Sequence, residues 1–216
     1  MMTKKNIYWQ RLSINVEDRW KANGHKSCVV WFTGFSGSGK SALANGLSRV
    51  LHGIGVNSYI LDGDNIRHGL NRDLGFNVRD RQENIRRTAE VSRLFLEAGL
   101  IVLTALISPY KADRQNAREI VKPGKFIEVF VKCPISECEK RDPKGMYKRA
   151  KCGQIREFTG ISTPYEEPEN PEIIIETDKL SINESMNVLV SYLFANGYIE
   201  KDKIRAKSRN VLCGIF

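Results

Sequence analysis

GFSGSGKS, running from Gly34 to Ser41, admits few architectures. It fits the pattern GxxxxGK[ST]. On one side lies an apolar run, CVVWFT (28–33), and on the other a segment where Leu43, Leu47, Val50, Leu51 and Ile54 recur at helical spacing. A strand that turns through glycines into a helix is the setting in which this pattern binds nucleotide phosphate. Glycines let the backbone of Gly34, Phe35, Ser36, Gly37, Ser38 and Gly39 curl so that successive N–H groups face phosphate oxygens, and the helix N-terminus adds partial positive charge. Lys40 is expected to reach the β- and γ-phosphates of ATP, and the Ser41 hydroxyl to hold Mg²⁺. A chance glycine turn ahead of Lys-Ser would lack the flanking strand and helix.

Further apolar runs alternate with helix-patterned segments: NSYILD (57–62), LIVLTAL (100–106), FIEVFVK (126–132) and EIIIET (172–177). That order predicts an α/β fold, a P-loop NTPase-type three-layer sandwich whose mainly parallel sheet carries helices on both faces. The helix after the glycine loop is expected from Ser41 and is stopped by Gly53 and Gly55. A second spans 80–98, with Asp80 and Glu83 spaced as a capping box and Gly99 as its stop. A third opens at Ser181-Ile-Asn-Glu184 and ends near Gly197. A chain of 216 residues suits one core, which predicts an N-terminal arm over 1–27, one P-loop domain over 28–200 and a basic tail over 201–216. Residues 142–171 break the alternation with four prolines, three glycines and many charges, and their place after a strand and a short helix predicts a lid.

The net charge of +9 favours an anionic partner, and charge alone does not choose among nucleic acid, an acidic membrane and a small polyphosphate. Basic residues concentrate in the N-terminal arm, in 140–156 and in 201–209, and only the middle cluster lies among chemically suggestive neighbours. The five cysteines (28, 133, 138, 152, 213) have no CxxC spacing, which points away from a disulfide framework or a zinc site and towards a reducing cytosol. MMTKKNIYWQRL has no apolar core of a signal peptide, and no apolar run approaches the roughly 18 residues of a membrane span. A cytoplasmic protein without a membrane or nucleic-acid partner is the expectation.

LIVLTALISPY reaches Ser108 without a carboxylate, so acidic groups near the phosphate site must come from elsewhere. The second strand supplies them. Asp62 and Asp64 in ILDGDNIRHGLN leave the same sheet edge as the P-loop, where they can order the shell of Mg²⁺ and accept a proton from an attacking hydroxyl. Which of the two is the base stays open. Without metal and phosphate, such a pair would simply mark a DG turn. Downstream come Arg67, Arg72, Arg79, Arg81, Arg86 and Arg87 with Phe76, a density that suggests a second anion beside ATP. Helical spacing sets Arg81 and Asn84 on neighbouring positions of the first turn of the 80–98 helix. A guanidinium fork suits phosphate or sulfate, and Phe76 offers a face to a flat base. The acceptor is therefore expected to be phosphorylated or sulfated and to contain a base.

WFTGFSGSGKS, LDGDNIRHGLN, LGF (74–76), DRxENIRR (80–87), ISPY (107–110), RDPKGMYKRA and FTGISTPYEEPENPE together resemble the adenylylsulfate kinases, from about Asn6 to Tyr198. The resemblance implies an ATP-dependent phosphotransferase of sulfate assimilation, acting on the 3′-hydroxyl of adenosine 5′-phosphosulfate (APS) to give PAPS and ADP. It implies that Asp62 and Asp64 serve the metal and the acceptor hydroxyl, and that Arg67, Phe76, Arg81, Asn84, Ile107 and Ser108 hold APS. In the lid it implies Lys144 near the phosphates, Phe158 paired with Phe76 around the APS adenine, and Arg141 over the ATP adenine. It also makes Ser108 a candidate phosphoserine, although a hydroxyl at a strand end can simply bind substrate. Ser41 stands where many members have threonine, and Ser162 and Thr163 where many have an acidic residue. Rival readings are a kinase for a nucleoside monophosphate or a sugar, and a nucleotide sensor like the kinase-like domains of sulfurylases that have lost the P-loop. The arm, with Trp9 and Trp20, is expected to pack on a second subunit of a homodimer or to fold back on its own core.

Overall fold

The computed structural model describes residues 7–121 and 123–200; residues 1–6 of the arm and the 201–216 tail with Cys213 lie outside the described residues. In chain order the elements are α1 (Val16–Asn23), β1 (Val29–Thr33), α2 (Lys40–Gly53), β2 (Ser58–Asp62), α3 (Gly63–Arg67), α4 (Val78–Glu97), β3 (Ile101–Ala105), α5 (Lys111–Val121), β4 (Phe126–Lys132), α6 (Ile135–Arg141), α7 (Met146–Lys151), β5 (Ile173–Glu176) and α8 (Ile182–Ala195). The five strands form a single parallel sheet in the order β2-β3-β1-β4-β5.

β1 lies at the centre and is buried on both faces, which is why its sequence is an unbroken apolar run. Val30 and Phe32 point into a core with Leu47 and Leu51 of α2 and Leu189 and Leu193 of α8, whereas Val29 and Trp31 point to the opposite core with Ile85 and Ala89 of α4 and Ala117 of α5. Each wholly buried leucine here contributes about 2 kcal/mol. Register sets the site: Phe32 and Asp62 both pair with Ala105, so the second strand ends level with the start of the glycine loop.

α4 begins earlier than the sequence pattern suggests. Its N-cap is Asn77, whose side chain accepts from the Asp80 amide at 3.0 Å. Asp80 turns back to accept from the Gly75 amide at 2.8 Å, and Glu83 is taken by Arg86 and Arg87, so Asp80 and Glu83 form no capping box. Arg81 and Asn84 consequently stand one turn deeper than expected. The Ser181/Glu184 capping box, in contrast, forms at the start of α8.

The 142–171 segment is ordered around a third small core, in which Tyr147 and Phe158 meet edge to face with centroids 4.9 Å apart beside Cys133 and Cys138. The arm divides in two. α1 is capped by Asn15 and anchored where Trp20 Nε1 donates to Ser27 Oγ at 2.7 Å, while Ile7, Tyr8, Trp9 and Leu12 are exposed. Among the described residues no helix is long and apolar enough to cross a membrane.

Candidate active site

Three strand ends, with Pro143 and Lys144 of the 142–171 segment, line a cavity of about 410 Å³ at the C-terminal edge of the sheet. Its floor is the glycine loop. At Gly34 a Cβ would lie 2.5 Å from the Val131 carbonyl oxygen, and at Gly37, whose φ is 75°, 2.9 Å from that of Cys138. The loop is pressed so closely on β4 and α6 that only glycine fits at these two positions.

Lys40 folds over the loop, donating to the carbonyls of Gly34 at 2.9 Å and Phe35 at 2.6 Å. Burial pulls its ammonium down to about 8, against a smaller opposing pull from nearby groups that include Asp62 and Asp64. Ser41, at the start of α2, donates to Asp62 Oδ2 at 2.6 Å, and Asp62 Oδ1 caps α3 by accepting from the Asp64 amide at 3.0 Å. The acidic "turn" of the sequence is thus a helix start, which fixes both carboxylates relative to the loop. Lys144, from the 142–171 segment, pairs with Asp64, and this hydrogen bond raises the Lys144 ammonium. Tyr147 ties the same segment to the floor by donating to the Ser36 carbonyl at 2.9 Å.

The opposite wall is cationic and aromatic. Arg67 donates to the carbonyls of Leu74 and Gly75 at 3.1 and 2.9 Å and lies over the Phe76 ring, 4.4 Å from its centroid. Phe76 is 59% exposed, so its other face is open to a ligand. Arg81 donates to the Phe76 carbonyl at 2.6 Å, to Thr159 Oγ1 at 2.9 Å and to the Glu157 carbonyl, joining this wall to the 142–171 segment. Burial lowers both guanidinium groups from their ordinary value, yet arginine keeps its charge. Asn84 accepts from Asn71 Nδ2 at 2.9 Å, and the fully buried Asn71 holds its amide toward the cavity. Ile107 and Ser108 close the third side. Ser108 has a positive φ of 40°, in the left-handed region, and Trp31 Nε1 donates to its Oγ at 3.1 Å.

The cavity therefore brings together Ser36, Gly37, Gly39, Lys40 and Ser41 with Asp62, Asp64, Arg67, Phe76, Arg81, Asn84, Ile107, Ser108 and Lys144. Gly34, Phe35 and Ser38 form the underside of the loop and do not line it. Arg141 binds Thr177, through its carbonyl at 2.7 Å and its hydroxyl at 3.2 Å, and Thr177 in turn donates to the Ser38 carbonyl; it stands behind the loop and outside the cavity. Phe158 is also outside, packed into the small core of the 142–171 segment. Of the six arginines expected around the second anion, only Arg67 and Arg81 face the cavity. Arg86 and Arg87 are occupied by Glu83 and Asp73. Ala42, Gly63, Ile85, Ala105, Leu106, Pro109 and Pro143 also line it without having been anticipated, since none carries a polar side chain that would mark it in a sequence.

The adenylylsulphate kinase family model matches residues 26–176. A probable adenylyl-sulfate kinase of Halalkalibacterium halodurans is 59% identical over 190 residues, 88% of this chain and 94% of that protein. A probable adenylyl-sulfate kinase of Bacillus subtilis is 52% identical over 92% of this chain and its whole length. Among solved structures, the APS kinase of Mycobacterium tuberculosis in complex with AMPPNP and APS aligns with a TM-score of 0.76 and 44% identity, over 78% of this chain and 98% of that one.

Proposed function

Because the chain belongs to the adenylylsulphate kinase family, we propose from this premise how its cavity does that family's work: it transfers the γ-phosphoryl group of ATP to the 3′-hydroxyl of APS, yielding PAPS and ADP. One observation carries the reading. A glycine cradle and a wall of Arg67, Arg81, Phe76 and Asn84 face each other across a single cavity, with two carboxylates between them. A donor nucleotide and a flat, doubly anionic acceptor are the ligands such a space suits, and the solved relative in complex with AMPPNP and APS supports the pairing.

Lys40 leaves its two carbonyl partners for the phosphates of ATP, and the loop amides hold the non-bridging oxygens. Ser41 and Asp62 fit Mg²⁺, because a hydroxyl and a carboxylate already 2.6 Å apart leave room for water and phosphate oxygens in the remaining positions. When bound, the ion neutralises charge on the transferred group. Among the described residues no three acidic, histidine or cysteine side chains form a protein-only metal cage, which suits an ion that shares the nucleotide. Asp62 being committed to Ser41, Asp64 is the carboxylate for the acceptor hydroxyl, and Lys144 moves from Asp64 to the phosphates as the acceptor enters. Arg67 and Arg81 hold the phosphosulfate and Phe76 stacks on the adenine. The lid, with Phe158 in its core and Arg141 at its root, keeps water from the γ-phosphate.

The exposed apolar run of Ile7, Tyr8, Trp9 and Leu12, each more than three-quarters exposed, supports a homodimer in which the arm covers a partner. A light-scattering mass equal to one chain would count against it.

A competition assay tests the acceptor. With ATP and Mg²⁺, APS and AMP at equal concentration should give 3′-phosphorylated APS almost alone. Equal rates for the two would replace this reading with a nucleoside monophosphate kinase.

A further inference from the structure

Arg114 does not line the cavity, is 3% exposed, and spends its whole guanidinium fork on three different parts of the fold. Nε donates to Glu128 Oε1 on β4 at 2.7 Å, one terminal nitrogen to the Ser108 carbonyl at 2.7 Å, and the other to the Glu166 carbonyl at 2.8 Å. The first fixes the fork to the central sheet. The second holds the residue whose backbone is in the left-handed region, where a serine does not stay without support. The third holds the return leg of the lid.

Other contacts converge on the same seam. Thr33 Oγ1 donates to the Ile107 carbonyl at 2.8 Å and shares a 3.0 Å hydrogen bond with the Tyr165 hydroxyl. The Glu166 amide donates to the Pro109 carbonyl at 2.8 Å, and the Lys111 amide to Glu166 Oε2 at 2.7 Å. The acceptor wall at Ile107–Ser108 and the returning lid at Tyr165–Glu166 are thus joined along their length, and Arg114 is the charged group bonded to both.

We propose that Arg114, braced by Glu128, is a positioning residue that fixes the Ser108 backbone against the lid's return leg and so sets the acceptor half of the site while leaving the nucleotide half untouched. The inference rests on the reading of the cavity as an ATP and APS site. Arginine is required because its planar fork serves three acceptors in fixed directions; a lysine keeps the charge opposite Glu128 but reaches only one or two of them.

The test compares Arg114→Lys and the milder Glu128→Gln with the wild type by steady-state kinetics in both substrates, together with hydrogen exchange of the intact, ligand-free protein. A misplacement of this wall should lower kcat/KM for APS by roughly 10- to 100-fold while the KM for ATP stays within about twofold. Exchange should quicken together at 107–110 and 157–166, with the amides of 36–41 unchanged. Parallel losses for ATP and APS, exchange rising throughout the chain, or no change in either variant would each overturn the proposal. Should the wild type not use APS at all, the functional reading falls, and the exchange pattern alone then decides whether Arg114 couples wall and lid.

Discussion

Ser41 and Asp62 stand on different elements, the first turn of α2 and the last residue of β2, yet their side chains meet in a hydrogen bond of 2.6 Å. The contact follows from β1 and β2 ending level on either side of β3. It sets a hydroxyl and a carboxylate side by side before any ion arrives. Ser41→Ala or Asp62→Asn should raise the Mg²⁺ concentration for half-maximal activity by about 10- to 100-fold, whereas Ser41→Thr, which keeps the hydroxyl, should leave it nearly unchanged. A magnesium titration of initial rates checks this.

Lys40 gives the site a pH dependence. Its ammonium loses its proton near pH 8 in the empty protein because burial disfavours the charge, and only the charged form attracts phosphate. The kcat/KM for ATP should therefore fall as pH rises through about 8, while kcat, which reports the ATP-bound form with a raised lysine, should hold to higher pH. The sign for stability is opposite: with the folded value below the unfolded one, the lysine destabilises the empty fold below about pH 8, and this is relieved as pH rises further. Lys40→Ala should abolish turnover while the circular dichroism of the fold persists.

Lys144 and Asp64 form an ion pair whose side chains are 61% and 62% exposed, so it adds little to stability. Lys144→Ala should shift the melting temperature by no more than about 2 °C. Its effect belongs to catalysis, where loss of a cation beside the transferring group should lower kcat on the order of 100-fold. Melting curves and saturating-substrate rates measured on one preparation separate the two.

Phe158 should show how far the lid folds as a unit. It packs on Tyr147 in a small core of its own, apart from the two that flank the sheet. Phe158→Ala should cost about 3 kcal/mol locally. Hydrogen exchange should quicken in 146–163 well before β1 and β4, and kcat should fall more steeply than global stability.

The sheet and the phosphate loop were legible because they depend on local patterns: apolar runs mark β1 to β5, and the glycines of 34–39 allow a single kind of turn. The start of α4 was misread because Asn77 and Asp80 match the capping spacing as well as Asp80 and Glu83 do, and the choice is made by Gly75, whose amide takes the Asp80 carboxylate. The arginine cluster shows the limit of counting charge. Arg67 on α3 and Arg81 on α4 face the cavity, but Arg86 and Arg87 go to carboxylates on the flank, and along α4 only the winding of the helix separates Arg81 from them. Arg114 was beyond reach, since its meaning lies in three acceptors from three distant segments. Phe158, whose place at the acceptor's adenine rests on resemblance, meets Tyr147 edge to face in the core of the 142–171 segment.

The most direct test of the two-substrate cavity is ADP release by the purified chain with ATP and Mg²⁺, followed as APS is added. ADP should appear only with APS, in equal amount to a 3′-phosphorylated product, and Arg81→Ala should raise the KM for APS far more than that for ATP. ADP release that is indifferent to APS, or an Arg81 variant impaired equally for both substrates, would contradict the account.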